Sequence, residues 1–167
     1  MNFERRESNE VYEQEFSWEN DLGNIDRAGA ITKEELSKLG WPEDQADAFS
    51  LAVHEAVANA VLHGNLGVNM SDGEAGYRDR IKDAQEKNKE KRVKIYFRFS
   101  KEDATAQIKD EGDFVPEGII DPTTGERLLK GSGRGALIIE SAVDNLTFSP
   151  GEIIIHKQRK ENEDAIE

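Results

Sequence analysis

Residues 55–65 read Glu55-Ala-Val-Ala-Asn59-Ala-Val-Leu-His63-Gly64-Asn65. They form the end of a predicted helix that opens at Pro42, where proline suits the first turn and Glu43 and Asp44 complement the helix dipole. Phe49, Val53, Ala56, Val57, Ala60 and Val61 recur at helical spacing and make one apolar face. Glu55 and Asn59 stand four residues apart on a different face, so a carboxylate and a neutral amide are neighbours. His63-Gly64 closes the helix, with Gly64 expected as its left-handed cap.

Upstream, Tyr12, Phe16 and Trp18 are spaced for a half-buried strand over 11–19. A first helix is predicted over 26–39; Thr32 and Glu35 have the spacing of a capping box, and Gly40 stands where a helix would stop. Downstream, an irregular turn leads to a very charged helix near 75–90, which ends in the basic run Lys87, Lys89, Lys91 and Arg92. That run reads as a solvated face. Residues 93–99 and 104–109 are predicted strands joined by a short polar turn, and therefore an antiparallel hairpin. A long connection rich in Gly, Pro and Asp fills 110–135, a length that marks a functional or disordered loop. An apolar helix over 136–143 and a terminal hairpin, 146–148 with 152–157, complete the order β-α-α-α-β-β-loop-α-β-β. Without regular βαβ alternation this is an α+β fold: a mixed, mostly antiparallel sheet with helices on one face. Residues 1–10 and 159–167 are expected to be disordered, leaving 11–158 as a single domain.

Composition narrows the function classes. At 167 residues one domain is expected, and 36% apolar against 34% charged residues gives a modest core with solvated segments. The formal net charge of −13 repels duplex DNA and anionic membranes. A nucleotide that brings its own metal remains compatible, because local amides and Mg²⁺ offset the background. The absence of cysteine removes disulfide scaffolds, Cys-zinc sites and thiol catalysis. The N-terminus has no apolar signal segment and no apolar run approaches a membrane span, so the expected location is the cytoplasm.

Three blocks carry candidate chemistry. In the first, the Asn59 carbonyl can ligate Mg²⁺ while leaving other positions to water and phosphates, and Glu55 one turn away can accept a proton from a hydroxyl. In the second, Asp110 ends a strand just before Gly112; a carboxylate there can accept a hydrogen bond from an exocyclic amino group, and glycine lets backbone approach a flat ring. In the third, Gly131-Ser-Gly133-Arg134-Gly135 opens a helix whose free amides suit phosphate, with Arg134 adding charge. Each block alone also reads as ordinary structure: a surface pair, a strand-exit turn, a capped helix. Other motifs fail. His54-Glu55 lacks the second histidine of a zinc protease, since Ala58 stands in its place. There is no P-loop, and the Gly131-x-Gly133 cluster has no strand leading into it, as a dinucleotide fold or a nucleophile elbow requires.

Taken in order, E-x-x-x-N-A-x-x-H-G, then D-x-G, then a long loop, then G-x-G before an apolar helix resembles the GHKL (Bergerat) ATP-binding fold. More closely it resembles the bacterial anti-sigma-factor serine-protein kinases of the RsbW/SpoIIAB type, over residues 25–158. The resemblance implies a two-layer sandwich that binds ATP or ADP with Mg²⁺. It implies Asn59 as the metal ligand and Glu55 as the general base that activates a protein serine. It implies Asp110 as the adenine-binding aspartate with Gly112 beside the ring, His63 among the nucleotide-binding residues, and 115–132 as an ATP lid. Gly133 and Gly135 then mark the phosphate-facing helix start, with Arg134 near the γ-phosphate or a partner. The chain departs from the wider pattern where Phe114 stands in place of a second glycine, and where Glu152 follows Gly151 in place of a frequent threonine.

The implied partners are a STAS-domain anti-sigma antagonist as substrate, a sigma factor as competitor, and a second copy of the chain, with Tyr12, Phe16 and Trp18 as candidates for the dimer contact. No nucleic acid or membrane partner is expected. The alternative is a nucleotide-dependent binding module without kinase activity; Glu55 favours the kinase, because a pure binding module needs no carboxylate there. A histidine-kinase catalytic fragment is disfavoured, because the residues before the 42–64 helix lack a helical hairpin bearing a phosphoacceptor histidine.

Overall fold

Alternation of apolar and polar residues builds the sheet. In the computed structural model, which describes residues 10–68, 76–112 and 134–161, five strands are ordered β1-β2-β3-β5-β4. They are β1 (Tyr12–Trp18), β2 (Val93–Phe99), β3 (Asp103–Lys109), β4 (Asn145–Ser149) and β5 (Glu152–Gln158). Every neighbouring pair is antiparallel, so the sheet, expected to be mostly antiparallel, is antiparallel throughout the described residues. Val93, Ile95, Phe97 and Phe99 of β2, Ala104, Ala106 and Ile108 of β3, and Ile153 and Ile155 of β5 all point to one face and are buried. Lys94, Arg98 and Lys109 alternate with them toward solvent.

Four helices accompany this sheet among the described residues: α1 (Gly23–Lys38), α2 (Glu43–Ala58), α3 (Tyr77–Lys87) and α4 (Arg134–Ala142). α2 is central, packed between α1 and α4. Its Phe49, Val53, Ala56 and Val57 are fully buried, and the Phe49 ring meets Phe99 edge-on at 6.0 Å. Truncating such a phenylalanine to alanine typically costs about 3–5 kcal/mol. α1 can lie close because Gly29 is buried opposite Ser50, whose hydroxyl donates to the Gly29 carbonyl at 2.6 Å.

Tyr12, Phe16 and Trp18 serve the interior of their own chain. Tyr12 stacks on Phe99 at 5.7 Å, Phe16 lies 4.8 Å from Trp18, and the Arg27 guanidinium covers Trp18 at 4.8 Å. Trp18 is buried, while Tyr12 and Phe16 are partly buried on an edge strand. Several local signals serve other structures than the expected ones. Thr32 caps nothing: it sits inside α1, its hydroxyl bonded back to the Ala28 carbonyl at 2.8 Å, and the helix starts earlier, where Asp21 Oδ1 accepts from the Gly23 amide at 2.8 Å. Gly40 does end α1: at φ +84° it completes a Schellman turn, with Gly40 N donating to Ser37 O and Trp41 N to Leu36 O. Gly64 is not left-handed. α2 instead widens into a π-helical segment, Asn59–Asn65, and the left-handed residue is Gly67 at φ +63°.

At the other end, Arg159 and Lys160, expected in a frayed tail, are tied down. Arg159 N donates to Glu102 O at 2.8 Å, and Lys160 exchanges two hydrogen bonds with the buried Gln45 side chain. The expected disordered stretch 1–9, the lid 115–132, Gly133 and the terminal 162–167 lie outside the described residues.

Asp103 closes the β2–β3 turn and joins it to β5. The Ser100 hydroxyl donates to its carboxylate at 2.7 Å and His156 Nε2 lies 3.1 Å from the other oxygen. The Ser100 hydrogen bond, and secondarily the His156 ring, hold the Asp103 carboxyl below its ordinary value against an opposing contribution from partial burial. A carboxyl lowered in the folded state contributes stability above its unfolded value, near pH ~4, and loses it as pH falls through the folded value. Asp103→Asn is accordingly expected to lower the urea midpoint at pH 7, with the gap to wild type closing as the solution is taken toward pH ~3. A gap independent of pH would contradict this role.

Candidate nucleotide site

The widened end of α2 gives the site its floor. A π turn inserts an extra residue per turn and re-aims the side chains beyond it, and such turns concentrate at functional positions. Ala60, Val61 and Asn65 are buried and hold the segment onto the sheet, while Asn59 and His63 are half-buried. Asn59 stands at the junction of α2 and the π segment, one turn beyond Glu55; its backbone amide donates into the preceding turn, and its side chain makes no hydrogen bond among the described residues. The Glu55 side chain keeps 25% of its surface exposed, with Oε1 3.7 Å from His54 Nδ1. His54 turns its other nitrogen to Asp26 at 3.0 Å, consistent with the failed zinc motif.

Asp110 is held where three backbone segments meet. Its amide donates to the Gly151 carbonyl at 2.9 Å, which fixes the end of β3 against the β4–β5 turn. Its Oδ1 accepts from the Gly112 amide at 2.7 Å, closing an Asx turn. A Cβ on Gly64 would fall on the Asp110 carboxylate, and one on Gly112 would fall on the Gly64 carbonyl. Gly151, at φ +78°, would place its Cβ 2.6 Å from the Gly112 carbonyl. The missing side chain of Gly112 thus admits the backbone of the π segment.

Further back on the same helix, Gly135 in the first turn of α4 faces Glu55, and a Cβ there would lie 2.7 Å from Oε2. The carboxylate therefore rests against a helix N-terminus, where free amides and the dipole favour negative charge. Arg134 is the first residue of α4; Gly133 lies outside the described residues. The structure brings Glu55, Asn59, His63 and Gly64 onto one helix, sets Gly135 against Glu55, and sets Asp110 and Gly112 near the helix's C-terminal end at Gly64.

Sequence reasoning missed two of the residues that build this arrangement. Asn65, 1% exposed, accepts from the Glu111 amide at 2.7 Å, and its own amide donates to Asn20 Oδ1 at 2.8 Å. The partners are 46 and 45 positions distant, and no local pattern signals the contact. No cluster of three or more His, Cys, Asp or Glu side chains able to hold a metal occurs among the described residues. A metal bound here would take most of its ligands from water and from the phosphates of a nucleotide, which is how Mg²⁺ is commonly held.

A family model of the histidine kinase-like ATPase domain matches residues 18–156. The chain belongs to this family: it is a GHKL-type ATPase domain, and its α+β sandwich with a five-stranded antiparallel sheet agrees with that. Domains of this class bind ATP and ADP and use ATP in phosphoryl transfer or hydrolysis. No match to the chain is found among curated proteins. No helix among the described residues is long and apolar enough to cross a membrane.

The contact between Gly64 and Asp110 can be tested directly. Gly64→Ala is expected to displace the Asp110 turn and lower stability by about 1–3 kcal/mol, the range for overpacking a tight contact. Urea denaturation, with amide shifts at Glu111 and Gly112, checks this; wild-type values in both would contradict the close approach.

Proposed function

We propose that the protein is a protein-serine kinase that regulates a partner by phosphorylating it, in the manner of an anti-sigma factor acting on a STAS-domain antagonist. The observation that carries the reading is the placement of Glu55. Its partly exposed carboxylate lies one turn from Asn59 and against the N-terminal turn of α4 at Gly135. In this reading Asp110 accepts a hydrogen bond from the adenine amino group, with Gly112 and His63 bordering the base. The start of α4 at Arg134 and Gly135 offers backbone amides to the phosphates. Asn59 would offer its side-chain oxygen to Mg²⁺, which would offset the charge of the phosphates. Glu55 takes the proton from the incoming serine hydroxyl as its oxygen bonds to the γ-phosphorus and ADP leaves.

A protein acceptor fits better than a small one, because the described residues form one sandwich around one sheet, with no second lobe among them to enclose a second small substrate. Phosphorylation adds about −1.5 to −2 charges to the partner. Against a chain of net charge −13 the product is repelled and released. In the full scheme a sigma factor competes for the freed protein, which acts as a dimer in the cytoplasm. One feature favours the second reading, a nucleotide-dependent binding module: a carboxylate against a helix N-terminus also caps that helix. Incubation with labelled ATP and a STAS-domain protein, followed by mapping of the labelled residue, separates the two.

Two substitutions test the assignments. Glu55→Gln is expected to keep nucleotide affinity and to slow transfer by about 10²–10⁴-fold, the usual loss on removing a general base. Transfer at the wild-type rate would reduce Glu55 to a helix cap. Asp110→Asn is expected to weaken ATP binding by about 1.5–3 kcal/mol, the worth of a hydrogen bond to a charged group. Unchanged affinity by calorimetry would remove the adenine assignment.

A further inference from the structure

Segment 77–92, the charged stretch between the π segment and β2, has no part in the chemistry above. Yet it is fastened to the nucleotide end of the site by a buried chain of amides. The Glu111 amide donates to Asn65 Oδ1 at 2.7 Å, Asn65 Nδ2 donates to Asn20 Oδ1 at 2.8 Å, and Asn20 Nδ2 donates to the carbonyls of Lys91 at 3.1 Å and Asn88 at 3.3 Å. Gln85, on the last turns of α3, adds a bond to the Asn20 carbonyl at 2.8 Å. Asn20 and Asn65 are 6% and 1% exposed.

The chain has one polarity. The Glu111 amide can only donate, so Asn65 must present its oxygen there and its NH₂ to Asn20. The carbonyls of Asn88 and Lys91 can only accept, so Asn20 must present its NH₂ to them and its oxygen to Asn65. Rotating either side chain by half a turn sets like groups against each other in a buried place, where an unmet polar group is costly. The two ends of the chain therefore cannot move independently without breaking it. A second tie runs alongside: the backbone amide of Arg92 donates to the Glu111 carboxylate.

We propose that Asn65 and Asn20 are positioning residues of the nucleotide site. Asn65 holds the Asp110–Gly112 turn in its binding geometry, and Asn20 passes the state of that turn to residues 88–92. Because coupling of this kind is reciprocal, whatever immobilises 88–92 also tightens the nucleotide turn. The proposal rests on the reading that Asp110 contacts the nucleotide.

The test uses the full chain, ADP as probe, and amide hydrogen exchange with and without ADP. In wild type, ADP is expected to slow exchange at 111–112 and also at 88–92. Asn20→Asp keeps the acceptor for Asn65 but turns an oxygen toward two carbonyls. It should retain the slowing at 111–112 and at Arg92, whose amide the Glu111 carboxylate still holds, and lose it at 88–91. Asn65→Leu removes both bonds and should weaken ADP by about tenfold, the scale of one buried hydrogen bond. Nucleotide-dependent protection at 88–91 that survives in Asn20→Asp would overturn the proposal, as would wild-type ADP affinity in folded Asn65→Leu. Should Asn65→Leu fail to fold, the Asn20→Asp comparison decides alone. Wild-type ADP affinity in Asp110→Asn would instead overturn the underlying reading, and the proposal with it.

Discussion

Everything at the nucleotide end of this domain depends on backbone meeting a carboxylate with no side chain between them. Gly64 brings the π segment against Asp110, Gly112 admits the Gly64 carbonyl, and Gly151 fits over the Gly112 carbonyl. Three segments far apart in sequence thereby share one small volume. Each is fixed from behind: the π segment by Ala60 and Val61 in the core, Asp110 by β3, and Gly151 by the β4–β5 turn. The site is rigid at this end because the core reaches directly beneath it.

Two places along the helix differ in chemistry. Near its C-terminal end stand the Asp110 carboxylate and backbone amides. Further back Glu55 faces the start of α4, where the dipole favours negative charge within a strongly acidic chain. A net charge of −13 and an anionic ligand are compatible when the favourable field is this local.

The sequence revealed most where periodicity was strong. β2 and β3 alternate cleanly, and every residue of the apolar stripe read from Phe49 to Val61 is buried, with Gln45, Ala46 and Ala52 joining it, so the order of elements followed directly. It misled where one pattern serves two structures. T-x-x-E at Thr32 is a capping box only if the preceding residues are not helical, and here they are. A glycine after an apolar helix is a left-handed cap unless the helix widens and continues, as it does through Gly64. Glu55 and Asn59 were legible because helical spacing alone makes them neighbours, and Asp110 because it ends a strand. The link from Glu111 through Asn65 to Asn20 was not, because it joins three elements through side chains whose partners only tertiary packing can supply.

The hairpin of β4 and β5 turns through Pro150-Gly151, with Ser149 paired to Glu152. Proline followed by a glycine of positive φ is the sequence of a type II turn. Since that glycine also seats the Asp110 turn, the hairpin acts as a ruler: its length, not its composition, is what the site requires. The exposed Thr147, Ser149 and Pro150 side chains leave room for sequence drift. One inserted residue in β5 beyond the turn would swap the inward and outward faces of the rest of that strand, lifting Ile155 out of the core. Tolerance to substitution and intolerance to insertion therefore coexist within a few residues, both set by one glycine that no ligand needs to touch.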